Sequence, residues 1–279
     1  MSEPPPPPPI VHVPDPRLPL ILSVPHSGRE LPPALARKAH GGERSVMALA
    51  DPLVDRLVDG LVAKGFGAVV ARTPRGVIDC NRPLSALDPA VIAHAPAPGN
   101  GSREAQGLGL VPSRSRSKAP LWSPPLDAEG LQQRIDAAWQ PYHDGLQAMI
   151  DMVAARHGGA ILLDCHSMPP RRGGPAVVIG DRHGTTAAPW VSAAAGGAAR
   201  NLAFATAFNH PFAGGYIVER HGDPTRGIHA LQLEIDRSQY LDPRLSAPGP
   251  GFARTRLLFE RVAAALCDAW FARGLEAAE

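Results

Sequence analysis

Long apolar runs are missing from this chain. No window approaches the roughly 18 consecutive apolar residues of a membrane span, so no transmembrane helix is expected. Cysteine is scarce. Cys80, Cys165 and Cys267 lie far apart, make neither a disulfide framework nor a CxxC zinc pattern, and fit a reducing compartment, which points to the cytoplasm. An excess of one charge is also missing: 28 Lys and Arg stand against 26 Asp and Glu, a net charge of +2. No overall field attracts nucleic acid or an anionic membrane, and neither partner is expected. There is no GxGxxG and no Walker pattern, hence no expectation of a nucleotide, and no internal repeat period. The N-terminus lacks the basic and apolar regions of a secretory signal. Its run Pro4–Pro9 reads instead as polyproline II, within a tail over residues 1–16.

What remains describes a globule. The chain has 279 residues, of which 44% are hydrophobic, enough for a sizeable core. Residues 17–279 read as one domain. Strands are expected over 18–24, 68–73, 176–180, 204–208 and 229–235, and an apolar run beginning at 161 reads as another that ends abruptly in titratable residues. Helices are expected over 52–64, 127–156, 189–200 and 252–273. Their alternation predicts an α/β fold: a mainly parallel mixed sheet with helices on both faces. Pro141 should kink the second helix. Periodicity vanishes over about 85–125, which reads as a long inserted loop carrying the basic patch Arg114–Lys118. That patch is too small and too poor in aromatics to suggest nucleic acid.

The chemistry collects at strand ends. Ile161-Leu162-Leu163-Asp164-Cys165-His166-Ser167-Met168 begins as a buried strand and is halted by Pro169-Pro170, so its polar tip is expected in a turn. Asp164 and His166 share a parity and point to one face. A second histidine, His26, follows the strand ending at Val24. Arg75-Gly76-Val77-Ile78-Asp79-Cys80-Asn81-Arg82-Pro83 is dense in hydrogen-bonding groups and could clamp a carboxylate. An Arg82–Asp79 ion pair is the bland alternative. Glu234 near the end of the last strand is where a general base would stand, unless it merely pairs with an arginine such as Arg237. Two histidines and one carboxylate form a common catalytic zinc shell. Residue spacing alone leaves the third ligand open: Glu30 lies in a poor helical context, and Asp51 suits a helix N-cap before Pro52. His143, past the expected kink, is at most an indirect contributor. These parts add up to metal-dependent amide hydrolysis of a small anionic substrate.

Four blocks resemble the signatures of N-formylglutamate amidohydrolases: Val24-Pro25-His26-Ser27-Gly28, the segment Arg75–Pro83, Asp164-Cys165-His166-Ser167-Met168, and His229-Ala230-Leu231-Gln232-Leu233-Glu234. They occur in the family's order across residues 18 to about 245. The resemblance implies a carboxypeptidase/phosphorylase-hydrolase-like fold. It also implies cleavage of N-formyl-L-glutamate to formate and L-glutamate, a step of histidine degradation. It makes His26, His166 and Asp51 the metal ligands, Asp164 the partner of His166 and Glu234 the general base. Asn81 and Arg82 would hold the substrate carboxylate, and Arg75 and His229 would contact substrate or transition state. Zinc is the expected ion, although such ligands also suit Fe, Co and Mn. A deacylase or peptidase for another N-acyl acidic amino acid is the nearest alternative, and a non-catalytic carboxylate-binding protein a more distant one.

Overall fold

The computed structural model describes residues 5–115, 117–123 and 126–276. Three sequence-based expectations reach outside them: Met1–Pro4 of the tail, Arg116 of the basic patch, and Pro124-Pro125 at the end of the long loop. The chain forms two compact units. The larger comprises Val11–Val24, Asp51–Val69 and Leu146–Glu279; the smaller comprises Met1–Ile10, Pro25–Ala50 and Val70–Gly145.

Among the described residues, seven strands form one sheet in the order β1-β3-β2-β4-β7-β5-β6. They are β1 (Ile10–His12), β2 (Leu20–Val24), β3 (Gly67–Val70), β4 (Ala160–Met168), β5 (Val177–Gly180), β6 (Thr206–Phe208) and β7 (Ile228–Asp236). β4 runs parallel to both β2 and β7, and β5 runs parallel to β6 but antiparallel to β7. With its helices this mixed sheet makes the α/β fold that the alternating pattern predicts. All nine residues of β4 and all nine of β7 are buried. The apolar first half of β4, Ala160–Leu163, is what a strand covered on both faces requires.

Four local differences from expectation have physical causes. The strand carrying His166 does not end before its polar residues. β4 continues to Met168 because β7 pairs with it residue for residue as far as Asp236. Part of the proline-rich tail, Ile10–His12, is an edge strand. The helix expected from Pro52 begins only at Val54, because Leu53 adopts a left-handed conformation with φ 61°. Asp51 is therefore not the N-cap. Finally, the expected kink at Pro141 is resolved by a π-helical segment, Ile135–Trp139, between helices Ala128–Arg134 and Gln140–His157. Proline cannot donate a backbone hydrogen bond, and a wider turn just before it absorbs the break.

The long loop has no periodicity, yet it packs. In the smaller unit Val91, Ile92, Val111, Leu121 and Trp122 join Leu35, Val46 and Val77 in one apolar cluster. Its backbone pairs both internally and with the segment before it: Leu110 N–H donates to the Ala86 carbonyl at 2.6 Å, and the Leu110 carbonyl accepts from Asp79 N–H at 2.7 Å. These bonds tether the segment that contains the arginine cluster.

Candidate active site

Register decides which side chains share a face. In parallel strands, paired residues point the same way. Ser23 pairs with Asp164, Asp164 with Gln232, and His166 with Glu234. One face of the central strands thus gathers Ser23, Asp164, His166, Gln232 and Glu234, all buried. The opposite face carries Leu22, Leu163, Cys165, Leu231 and Leu233. Five polar side chains inside a sheet are costly unless they bond to one another, and they do.

His166 is the hub in the larger unit. Its Nε2 lies 2.8 Å from Oδ2 of Asp164, whose other oxygen accepts from Ser23 Oγ at 2.7 Å. Its Nδ1 lies 3.2 Å from Oδ2 of Asp51. Asp51 Oδ1 accepts from Arg237 Nη2 at 2.9 Å, and Arg237 Nε donates to Ser167 Oγ at 3.0 Å. Tyr240 donates its hydroxyl to the Pro52 carbonyl at 2.7 Å, which anchors the backbone next to Asp51. Burial opposes charge on His166, but Asp164, Asp51 and Glu234 outweigh it and hold the imidazole pKa well above its ordinary value. Carboxylate, imidazole and a facing second carboxylate form the donor set of a hard or borderline divalent cation, so this group fits a zinc-type ion.

The smaller unit repeats the device. His26 Nε2 lies 2.7 Å from Oδ1 of Asp79, and both side chains are buried. Asp79 Oδ2 accepts from Arg75 Nε at 2.8 Å, and Oδ1 also accepts from the Asn81 N–H at 2.8 Å. Burial alone would raise the Asp79 pKa; Arg75, His26 and Arg82 override it and hold the carboxyl well below its usual range. The ion pair formed here is Arg75–Asp79. Arg82 donates to the carbonyls of Leu108 and Asn81, at 2.8 and 2.7 Å. The Arg75–Arg82 segment is not a regular strand, and side chains grip its carbonyls. Trp122 donates to Gly76, Arg134 to Val77 and Trp139 to Arg82, and His143 Nε2 lies 2.9 Å from the Cys80 carbonyl. Such buried carbonyls need partners, and here they receive them from Trp122 of the long loop and from Arg134, Trp139 and His143 of the expected helix region. Glu30, the other candidate ligand, is exposed and held by a bidentate pair with Arg72 at 2.7 and 2.5 Å.

The structure thus brings Asp51, His166 and Glu234 together in one unit and His26, Arg75, Asn81 and Arg82 in the other. It separates His229 from Glu234. His229 pairs with Ile161 at the opening of β7, five residues before Glu234, or about 17 Å along a strand. Its ring lies 5.2 Å from Trp190 and 6.3 Å from Trp270, and the Ala188 N–H points at its Nδ1 at 3.4 Å. We therefore expect His229→Gln to lower the melting temperature but leave kcat unchanged, as thermal melts and steady-state rates will read. Sequence reasoning missed Asp79 as the partner of His26, Arg237 as the partner of Asp51, and Tyr240. Each bridges more than 50 residues of chain, and no local spacing signals it.

Comparisons with known proteins place the chain among its relatives. The model of the N-formylglutamate amidohydrolase family matches residues 18–241. An N-formylglutamate deformylase of Pseudomonas putida is 30% identical over 235 residues, covering 81% of this chain and 83% of the relative. The deformylase of Pseudomonas aeruginosa is 29% identical over 239 residues with the same coverage. The crystal structure of an N-formylglutamate amidohydrolase from Ralstonia eutropha JMP134 superimposes with a TM-score of 0.84 at 27% identity, over 95% of this chain and 98% of that one. An Agrobacterium tumefaciens gene product shares the fold, with a TM-score of 0.69 at 18% identity over 93% and 94% of the two chains. With its family model matched over most of the chain, and its signature residues gathered around two buried carboxylate–imidazole pairs, the chain belongs to the N-formylglutamate amidohydrolase family.

Proposed function

We propose that this chain is a metal-dependent amide hydrolase that cleaves N-formyl-L-glutamate to formate and L-glutamate, as a step of histidine degradation in the cytoplasm. The observation that carries the reading is the polar face of β4 and β7, where a histidine held by two carboxylates neighbours a buried glutamate. The names of the two Pseudomonas relatives supply the substrate. Three buried free thiols suit a reducing compartment, and no described helix is long and apolar enough to cross a membrane.

His26, Asp51 and His166 are our ligand set for the ion, with zinc as the proposed identity. All three are buried, and each offers one ligand atom. Both histidines have Nε2 committed to a buried carboxylate, so Nδ1 is the ring atom that would ligate. When bound, the ion would polarise the formyl carbonyl and acidify the attacking water. The chain's own residues do the rest. Arg82 and Asn81, with Arg75, orient the substrate carboxylates. Glu234 takes a proton from water as its oxygen joins the formyl carbon. Glu234 then returns that proton to the departing nitrogen as the carbon–nitrogen bond breaks. Water and the formamide are consumed; the second proton of water passes from the new carboxyl to the amine, and formate and the ammonium form of glutamate leave.

Comparing N-formyl-, N-acetyl- and N-succinyl-glutamate with N-formyl-aspartate tests the substrate. We expect kcat/KM to be highest for N-formyl-glutamate; a higher value for another member reassigns the acyl group or the amino acid. Asp79→Asn tests the orienting carboxylate. It keeps the size of the side chain but weakens the hold on His26, so metal affinity should fall roughly 10–100-fold, as competition with a chromophoric chelator will measure.

A further inference from the structure

Gln232 has no part in the chemistry described above, yet it is buried on the polar face two residues before Glu234. Its amide is bonded at both ends. Gly215 N–H donates to Gln232 Oε1 at 2.8 Å, and Gln232 Nε2 donates to Glu234 Oε1 at 2.9 Å. A backbone N–H can only donate, so it fixes which end of the amide is oxygen and leaves the NH2 group aimed at the carboxylate.

The donor comes from a glycine-rich strap, Ala213-Gly214-Gly215, that packs closely against Gly180. Gly180, the last residue of β5, pairs with Gln232. A Cβ on Gly180 would lie 2.6 Å from the Ala213 carbonyl carbon and 2.7 Å from the Gly214 nitrogen. Only glycine at 180 lets the strap approach this closely. Gly214 has φ +121°, a conformation that side chains rarely adopt. Two glycines thus shape a strap whose next N–H locks Gln232.

We infer that Gln232 is a positioning residue for Glu234: the strap fixes its amide, and the amide fixes the carboxylate. The inference rests on Glu234 being the general base. A carboxylate held by a charge-assisted hydrogen bond stays in one rotamer, aimed where it must accept a proton. Loss of the amide removes this hold and loosens the productive geometry, which lowers the rate without touching the groups that bind substrate.

The test is a double-mutant cycle on the metal-loaded enzyme, with N-formyl-glutamate as substrate. Gln232→Met removes the amide and keeps the length; Gln232→Glu keeps the acceptor for Gly215 and replaces the donor facing Glu234 by a second acid. Each is expected to lower kcat roughly ten- to a hundredfold with KM unchanged. Neither should cause any further loss in a Glu234→Gln background. Gly180→Ala, which displaces the strap, should lower kcat in the same manner. Native kcat in both Gln232 variants, or an equal loss with and without Glu234, overturns the inference. If Glu234→Gln itself turns over normally, the base assignment fails and the inference with it. If Glu234→Gln is inactive while Gln232→Met and Gln232→Glu are native, the positioning role alone fails.

Discussion

Glu234→Gln is expected to lower kcat about a thousandfold, the middle of the range for losing a general acid–base group. Glutamine has nearly the same shape and can still accept from Gln232 Nε2, so the fold should survive. It cannot take a proton from water at neutral pH. Because Arg82 and Asn81 belong to a different part of the chain, KM should change little, and the loss should fall on kcat and kcat/KM alike. Metal content should match the parent, since Glu234 is outside the proposed ligand set. Steady-state rates with metal analysis decide this. Near-native turnover in this variant would remove Glu234 from the mechanism.

Stripping the metal is expected to abolish formate release, and adding zinc to restore it. The reason is the cluster of buried acids around His166. Without a cation, Asp51 and Asp164 face one imidazole, and they hold it protonated by raising its pKa well above the ordinary value. The charge of the site is then met by a proton, which carries none of the Lewis acidity that the proposed mechanism draws from a metal. A metal bound through His166 would have to displace that proton. Affinity should therefore rise with pH up to the raised pKa of His166, and uptake should release protons at neutral pH. Calorimetry in two buffers of different ionisation enthalpy measures the release, and formate production in excess chelator measures the dependence. Full activity with no bound metal would exclude the ligand assignment altogether.

The fold class was legible because it rests on short-range pattern. Apolar runs bounded by Gly and Pro marked β2, β4, β5 and β7, and their alternation with amphipathic segments implied a mostly parallel sheet. Boundaries were less legible where tertiary pairing overrides local signals. Nothing in Asp164–Met168 says that the strand should continue through a histidine; β7 makes it continue. Nothing in Asp51-Pro52-Leu53 forbids an N-cap. Asp51 instead meets Arg237 and His166, and Leu53 takes a left-handed turn. The loop over 85–125 read as a featureless insertion because a core built without periodicity leaves no periodic trace.

By itself the sequence determined which residue types stand at which strand ends, and that Asp164 and His166 share a face. Those follow from the two-residue repeat of a strand and need no partner. Tertiary structure alone decided that Asp79 steadies His26, that Arg237 steadies Asp51, that His229 is far from Glu234, and that Gln232 is clamped between Gly215 and Glu234. Each depends on strand register or on loops packed across long stretches of chain. Register is set by burying the whole sheet at once, so no local window contains it.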